Sequence, residues 1–124
     1  MKEYTVKIND DGNKFWYLNG KRHREDGPAI EWVDGDKEWF LDGKRHREDG
    51  PAIECTNGTK YWYLNGKRHR EDGPALEWAD GDKFWYLNGK ELTKKEFKAR
   101  TKVKELTVAD IEKLLGHPVK IVKE

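Results

Sequence analysis

Short apolar segments and strings of charged residues follow one another along most of this chain, and the pattern returns every 23 residues. A Trp, an aromatic residue, Leu, Asn or Asp, and Gly occur in this order at 16–20, 39–43, 62–66 and 85–89. Between these copies the string Lys-Arg-His-Arg-Glu-Asp-Gly-Pro-Ala occurs three times, from Lys21, Lys44 and Lys67. A fixed period of this kind indicates a repeat architecture. The pattern predicts full units at 13–35, 36–58 and 59–81 and a half unit at 82–89.

Glycine-containing turns divide each unit into two strands. Asn-Gly or Asp-Gly at 19/20, 42/43, 65/66 and 88/89 suits a two-residue type I′ hairpin turn. A second set at 34/35, 57/58 and 80/81 would connect one unit to the next. Residues 1–12 contain the alternating Tyr4, Val6 and Ile8, which predict a leading strand. The fold class is therefore mainly β: a repeat antiparallel β-meander with a small C-terminal helical cap of α+β type at 90–124.

Counting outward from the turns predicts which side chains share a face. A two-residue loop at Asn19-Gly20 pairs Tyr17 with Arg22, and one at Asp34-Gly35 pairs Ile30 with Trp39. Alternate residues point to opposite faces. One predicted face is apolar: Trp16, Leu18, His23, Ile30, Trp32, Trp39, Leu41, Ile53, Trp62, Leu64, Leu76, Trp78, Trp85 and Leu87. The other holds Phe15, Phe40, Tyr61, Phe84, the three alanines Ala29, Ala52 and Ala75, and a ladder of arginines and tyrosines.

This arginine and aromatic ladder is the main candidate binding surface. Its candidate residues are Tyr17, Arg22, Arg24, Phe40, Arg45, Arg47, Tyr63, Arg68, Arg70 and Tyr86. One hypothesis is internal cation–π stacking that stabilises a thin sheet. The other is a surface for a nucleotide, single-stranded nucleic acid or an acidic protein patch.

The apolar face needs a cover, since burying each large side chain is worth about 1.5–3 kcal/mol. Residues 90–124 are the expected cover. Thr93 and Glu96 form a capping-box pattern before a helix that reaches about Arg100, and further patterns predict a helix at 108–115 and an edge strand at 119–122. Alternatively, two copies could bury their Trp faces in a homodimer.

A two-residue loop at 11/12 would place the leading strand's apolar residues on the arginine face.

Composition alone is misleading here. The 124 residues are 35% hydrophobic and 40% charged, which is typical of disorder, yet they include six Trp, five Tyr and four Phe. A one-layer sheet explains both facts, because few of its residues can be interior. The net charge of +1 hides a local excess of five positive charges at 90–104. This candidate basic patch consists of Lys90, Lys94, Lys95, Lys98, Arg100, Lys102 and Lys104.

No catalytic or metal site is predicted. His23, His46 and His69 lie one unit apart, about 10 Å in a sheet, and so cannot share a zinc ion. The repeated Glu-Asp pairs are expected to balance the arginines, and the single Cys55 to pack as a small apolar side chain. No cofactor is expected. Without an apolar run of about 18–20 residues or a signal peptide, the expected location is the cytoplasm.

Asn-Gly-Lys-Arg-His followed by Asp-Gly on a 23-residue period resembles the MORN repeat, in the His-Arg-Glu-Asp-Gly-Pro-Ala form of tailed-phage and bacterial proteins. The resemblance covers residues 13–89. It implies a non-enzymatic scaffold that binds proteins or, in some members, lipid. By analogy, we expect a phage accessory protein that binds and inhibits a host defence protein in the host cytoplasm. The alternatives are a nucleotide or small-anion binder using the arginine face, and an anionic-lipid or nucleic-acid adaptor using 90–104.

Overall fold

A computed structural model describes residues 2–101, 113, 115 and 116 of the chain. This part contains antiparallel strands and one C-terminal helix, so the predicted mainly β fold is confirmed. The elements are β1 (Tyr4–Ile8), β2 (Lys14–Leu18), β3 (Lys21–Arg22), β4 (Ile30–Glu31), β5 (Lys37–Glu38), β6 (Phe40–Leu41), β7 (Lys44–Arg45), β8 (Ile53–Glu54), β9 (Lys60–Tyr61), β10 (Tyr63–Leu64), β11 (Lys67–Arg68), β12 (Leu76–Glu77), β13 (Lys83–Leu87), β14 (Lys90–Leu92) and α1 (Lys94–Thr101).

The strand that begins each unit has different partners along its length. In the second unit, β5 pairs with β4 and β8, whereas β6 pairs with β7. Trp39 lies at the junction and donates its N–H to the Ala52 carbonyl at 2.7 Å. Neighbouring units are also linked by the Arg24 N–H, which donates to the Phe40 carbonyl at 3.1 Å. The described units are therefore joined one after another in a continuous meander.

The first turn of each unit forms as predicted. Asn65 and Gly66 have φ values of 51° and 80°, as a type I′ turn requires at both central positions. The other three Asn-Gly or Asp-Gly turns have the same signs. As a result Tyr17 pairs with Arg22, and the predicted register of these hairpins is confirmed.

The second turn is one residue longer than predicted, so the predicted register of the two strands that it connects was wrong. Trp32 donates its N–H to the Asp36 carbonyl at 2.9 Å, which encloses the three residues 33–35, with Gly35 at φ 101°. Ile30 consequently pairs with Glu38 instead of Trp39. A one-residue shift moves every side chain of a strand to the other face. The correction applies to Ile30, Trp32, Ile53, Leu76 and Trp78, which share a face with the arginine ladder.

The leading strand needs the same correction. The Asn9 N–H donates to the Asn13 carbonyl at 3.1 Å, so this loop also contains three residues. Val6 therefore pairs with Trp16, and β1 places Tyr4, Val6 and Ile8 on the Trp16 side of the sheet. All three remain exposed, with Ile8 at 63%.

We call the two sides the tryptophan face (Trp16, Leu18, Trp39, Leu41, Trp62, Leu64, Trp85 and Leu87) and the aromatic face (Phe15, Tyr17, Phe40, Tyr61, Tyr63, Phe84, Tyr86 and the arginines Arg22, Arg45 and Arg68). Ile30 and Phe40 on the aromatic face are buried, and Phe15 packs against them. Trp32 contacts Phe15 edge-on, with ring centroids 5.7 Å apart. Within the repeat, the large buried side chains Ile30, Phe40 and Leu76 therefore lie on the aromatic face, whereas the sequence predicted the apolar core on the tryptophan face.

The helix α1 begins with the predicted capping box. The Thr93 N–H donates to Glu96 Oε1 at 2.9 Å, and the Glu96 N–H donates to Thr93 Oγ1 at 3.1 Å. Leu92 and Phe97 are buried where α1 contacts β13 and β14. The predicted strand at 119–122 and nearly all of the predicted helix at 108–115 lie outside the described residues. Within the described part, no helix is long and apolar enough to span a membrane.

Candidate interaction surface

The first arginine of each unit lies on the aromatic face, as predicted. The Arg22 guanidinium carbon is 6.0 Å from the Phe15 ring centroid and 5.7 Å from that of Phe40. Arg45 is placed equivalently, 5.4 Å from Phe40 and 5.8 Å from Tyr63. Each of these arginines thus joins the aromatic rings of two consecutive units, which supports the stacking interpretation of the ladder.

Two of these arginines also have polar partners. Arg45 Nη2 is 3.2 Å from Glu38 Oε1. Arg68 donates to the hydroxyls of Tyr63 at 3.3 Å and Tyr86 at 3.2 Å, and these hydrogen bonds raise the pKa of Arg68. Because two nitrogens of Arg45 and two of Arg68 already donate to partners within the sheet, the aromatic face has fewer donors left for an anion than the sequence indicated. Anion binding on this face stays a prediction.

The second arginine of each unit lies on the opposite face, which corrects the predicted site. The guanidinium carbon of Arg47 is 3.9 Å from the Trp39 ring centroid, and Arg24 and Arg70 have equivalent places over Trp16 at 4.1 Å and Trp62 at 3.9 Å. The chain leaves the regular strand after the histidine, so strand alternation no longer predicts its side-chain directions. These arginines cover the tryptophans that we expected the C-terminal segment to cover. Only Trp85, 5.9 Å from Lys94 Nζ, has a described contact with α1.

Each covering arginine is held by the loop that follows it. Arg47 Nε donates to Asp49 at 2.9 Å, and its Nη1 donates to the Pro51 carbonyl at 3.1 Å and to Glu54 at 2.9 Å. A Cβ atom on Gly50 would lie 2.9 Å from the guanidinium carbon, so an alanine here would press on the Arg47 side chain. The hydrogen bond from Arg47 lowers the pKa of the Asp49 carboxyl. The Arg-Glu-Asp-Gly-Pro string is therefore a loop folded around its own arginine.

The histidines connect one unit to the next. The Asn65 backbone N–H donates to His46 Nδ1 at 2.9 Å, and His23 and His69 accept equivalent bonds from Asp42 and Asn88. On the other side of its ring, His23 Nε2 lies 3.1 Å from Glu25 and lowers the pKa of that carboxyl. This accounts structurally for all three repeated histidines. Among the described residues, no group of three His, Cys, Asp or Glu side chains could hold a metal ion.

Two open grooves separate successive Arg-Glu-Asp-Gly-Pro loops on the tryptophan face. Groove A, of about 760 Å³, lies between residues 24–28 and 46–49 and contains Trp39 and Leu41. Groove B, of about 610 Å³, lies between residues 47–51 and 69–72 and contains Trp62 and Leu64. The sequence pattern did not predict these grooves, because strand alternation placed the covering arginines on the other face.

Both grooves have acidic rims. The side chains of Glu48 and Asp49 are 83% and 86% exposed, whereas that of Arg47 is 21% exposed. The lining of groove A has two arginines against four carboxylates, which is a formal charge of −2 with His46 neutral, and groove B has the same balance. The tryptophan face is thus locally negative on a chain whose net charge is +1.

The candidate basic patch is only partly described. Lys90 lies on β14, and Lys94, Lys95, Lys98 and Arg100 lie on α1. All five side chains belong to exposed residues. Lys102 and Lys104 lie outside the described residues. A role of this segment in binding lipid or nucleic acid stays a prediction.

Cys55 has no feature of a reactive thiol. It is half-buried, and burial together with the nearby carboxylates of Asp36 and Glu38 raises the pKa of its thiol. The thiolate, which is the nucleophilic form, is therefore disfavoured.

No family model, curated protein or solved structure matches this chain. The candidate surface therefore rests on its own geometry: a row of equivalent, open, acidic grooves with Trp and Leu at their floors.

Proposed function

We propose that this chain is a non-enzymatic interaction module that binds another protein through the row of grooves on its tryptophan face. The observation that carries the proposal is the repetition of one groove, with the same residue types, in successive units. Small-molecule sites are usually enclosed and bury most of their ligand. A row of open grooves suits a partner that contacts several units at once.

The resemblance to MORN repeats supports a scaffold role and adds a biological setting to the proposal. In that setting the chain is a phage accessory protein, and its partner is a host protein whose activity it blocks. A repeat surface of this kind could inhibit simply by covering the partner's own binding site.

The test compares one groove variant with a matched control. The immobilised parent protein, Leu64→Lys and Val33→Lys would each be exposed to extract of the source's host cells, and retained proteins would be identified by mass spectrometry. Leu64 lies in groove B, whereas Val33 is 70% exposed in a turn and lines neither groove. A protein retained by the parent and by Val33→Lys, but lost with Leu64→Lys, would support the proposal.

The candidate partner would then be purified and its binding measured directly. Equal affinity for all three proteins would contradict groove binding. Circular dichroism of each variant shows whether Leu64→Lys keeps its fold, so loss of binding can be separated from unfolding. Self-association of the purified chain would indicate the homodimer instead.

A further inference from the structure

We propose that each groove receives one cationic side chain, Lys or Arg, from a basic amphipathic helix of the partner. This inference rests on the proposed function and specifies the chemistry of the partner. It is drawn from the groove linings, the charge of their rims and the distance between units.

The groove lining has an apolar floor and an acidic rim, which match the apolar stem and the charged end of a long cationic side chain. At the floor of groove A, Trp39 and Leu41 offer apolar contact to an aliphatic stem. At the rim, Glu25 and Glu48 have side chains that are 60% and 83% exposed, within reach of a charged head group. Lys and Arg are the side chains that combine an apolar stem with a positive end.

The same lining disfavours anions. The guanidinium groups of Arg24, Arg47 and Arg70 are directed into their own loops, with side-chain exposures of 21–24% and carboxylate partners in each case. A phosphate approaching the grooves would meet the exposed carboxylates first. We therefore favour a basic protein segment over nucleic acid or an anionic membrane at this face.

The spacing of the grooves selects a helical partner. Each unit contributes two strands, and at about 4.8 Å per strand successive grooves lie about 10 Å apart. Residues seven apart on an α-helix lie on one face and are separated by about 10.5 Å. A helix with Lys or Arg at positions i and i+7 can therefore place one cation in groove A and one in groove B.

An apolar extension of the tryptophan face indicates how the partner helix is oriented along the row of grooves. Beyond the first unit, β1 continues the tryptophan face with exposed Tyr4, Val6 and Ile8. In place of a further acidic loop, this end of the face offers an apolar contact. We expect the helix to place its cations over the grooves and an apolar residue, such as Leu, over β1.

The probe for this inference is a synthetic helical peptide of Ala and Gln with Arg at i and i+7 and a Leu beyond one end. Its fluorescence anisotropy would be titrated with the full chain. The control peptide has the same composition but its two Arg five residues apart, on different sides of the helix. Binding of the first peptide at least about tenfold tighter than the second, and weakened by salt, is the expected result. Equal binding of the two peptides would overturn the inference.

Rim charge is tested by the double substitution Glu25→Gln and Glu48→Gln, which preserves a hydrogen-bond acceptor beside each histidine. The matched control, Glu3→Gln with Glu91→Gln, removes two exposed carboxylates that line neither groove. We expect the rim variant to bind the i, i+7 peptide about tenfold more weakly and with a smaller salt dependence. The control should bind like the parent; identical affinity of rim variant, control and parent would overturn the inference.

The two proposals fail in different ways. If a natural partner loses binding to Leu64→Lys but not to the rim variant, the groove function stands and the cationic contact is wrong. If no partner depends on Leu64, the proposed function fails, whatever the peptides do.

Discussion

Arg47 shows how a single side chain can organise a loop that contains little apolar material. It stacks on Trp39, pairs with Asp49 and Glu54, and donates to a backbone carbonyl. The planar guanidinium can do all of this at once, whereas a lysine offers one ammonium group and no flat face. Since Arg24 and Arg70 repeat the arrangement, the loop design is a property of the repeat.

A double-mutant cycle at Gly50 and Arg47 tests this loop. Gly50→Ala should destabilise the protein by about 1–3 kcal/mol, because the new Cβ would press on the guanidinium. Arg47→Ala should cost a similar amount, since it removes the stacking and three hydrogen bonds. After Arg47→Ala, Gly50→Ala should cost less than about 0.5 kcal/mol. Urea denaturation measures each free energy of unfolding, and additive costs would show that the contact is unimportant.

Acid should weaken the same loop. The folded protein holds the pKa of Asp49 below its ordinary value of 3.8, so the contact contributes stability at neutral pH. That contribution is lost as the pH falls below 3.8, because the unfolded chain takes up the proton more readily. Asp49→Asn should therefore lower stability at pH 7 and make the acid decline shallower; Asp10→Asn, which removes an exposed carboxylate outside the Arg47 loop, is the control. The two stability profiles between pH 7 and pH 2 would be compared by thermal unfolding; parallel profiles would contradict the assignment.

At the scale of hairpins, the sequence pattern predicted the first turn of each unit correctly but predicted the second turn one residue too short. The dipeptide Asn65-Gly66 predicts its own turn type, because both residues tolerate positive φ. Asp34-Gly35 contains the same kind of residues but belongs to a three-residue loop, and only Gly35 among its residues adopts positive φ. Because the loop has one residue more than predicted, Ile30 and Trp32 lie on the aromatic face instead of the tryptophan face. Turn composition does not reveal loop length, and the face assignment depended entirely on that length.

The histidine contacts between hairpins also give a test. His46→Leu removes the acceptor for the Asn65 N–H, whereas the Oδ1 of an asparagine in His46→Asn can replace Nδ1. We expect His46→Leu to lose about 1 kcal/mol of stability and to speed hydrogen exchange at the Asn65 amide. His46→Asn should keep most of the protection. NMR-detected exchange measures that amide directly, and an unchanged rate in His46→Leu would exclude the contact.

At the scale of the molecule, stability should follow the number of units, because each unit bonds mainly to its neighbours. Deleting residues 36–58 joins Gly35 to Thr59 and restores the repeat in register. This shortened chain should fold cooperatively, with the same circular dichroism spectrum and a lower Tm. Deleting 36–46 removes half a unit and should prevent cooperative folding. If both deletions behave alike in a thermal melt, the units are not interchangeable.

The candidate surface was harder to predict than the repeat. Arg22 and Arg45 were assigned correctly, because they lie on strands where alternation holds. Arg24 and Arg47 lie in loops, and their direction depends on an aspartate, a glycine and a carbonyl acting together. A groove between two such loops depends on the distance between the folded loops, and no residue pattern in the sequence predicts that distance.

The most direct test of groove binding is a photo-crosslinking scan with a single benzoyl-phenylalanine. It would be placed in turn at Leu41 and Leu64, in the grooves, and at Val33 and Trp78, both exposed and outside the groove linings. After irradiation in extract of the proposed host cells, we predict one partner band from both groove positions and none from the other two. Bands of equal intensity from all four positions, or bands only from Val33 and Trp78, would contradict the account.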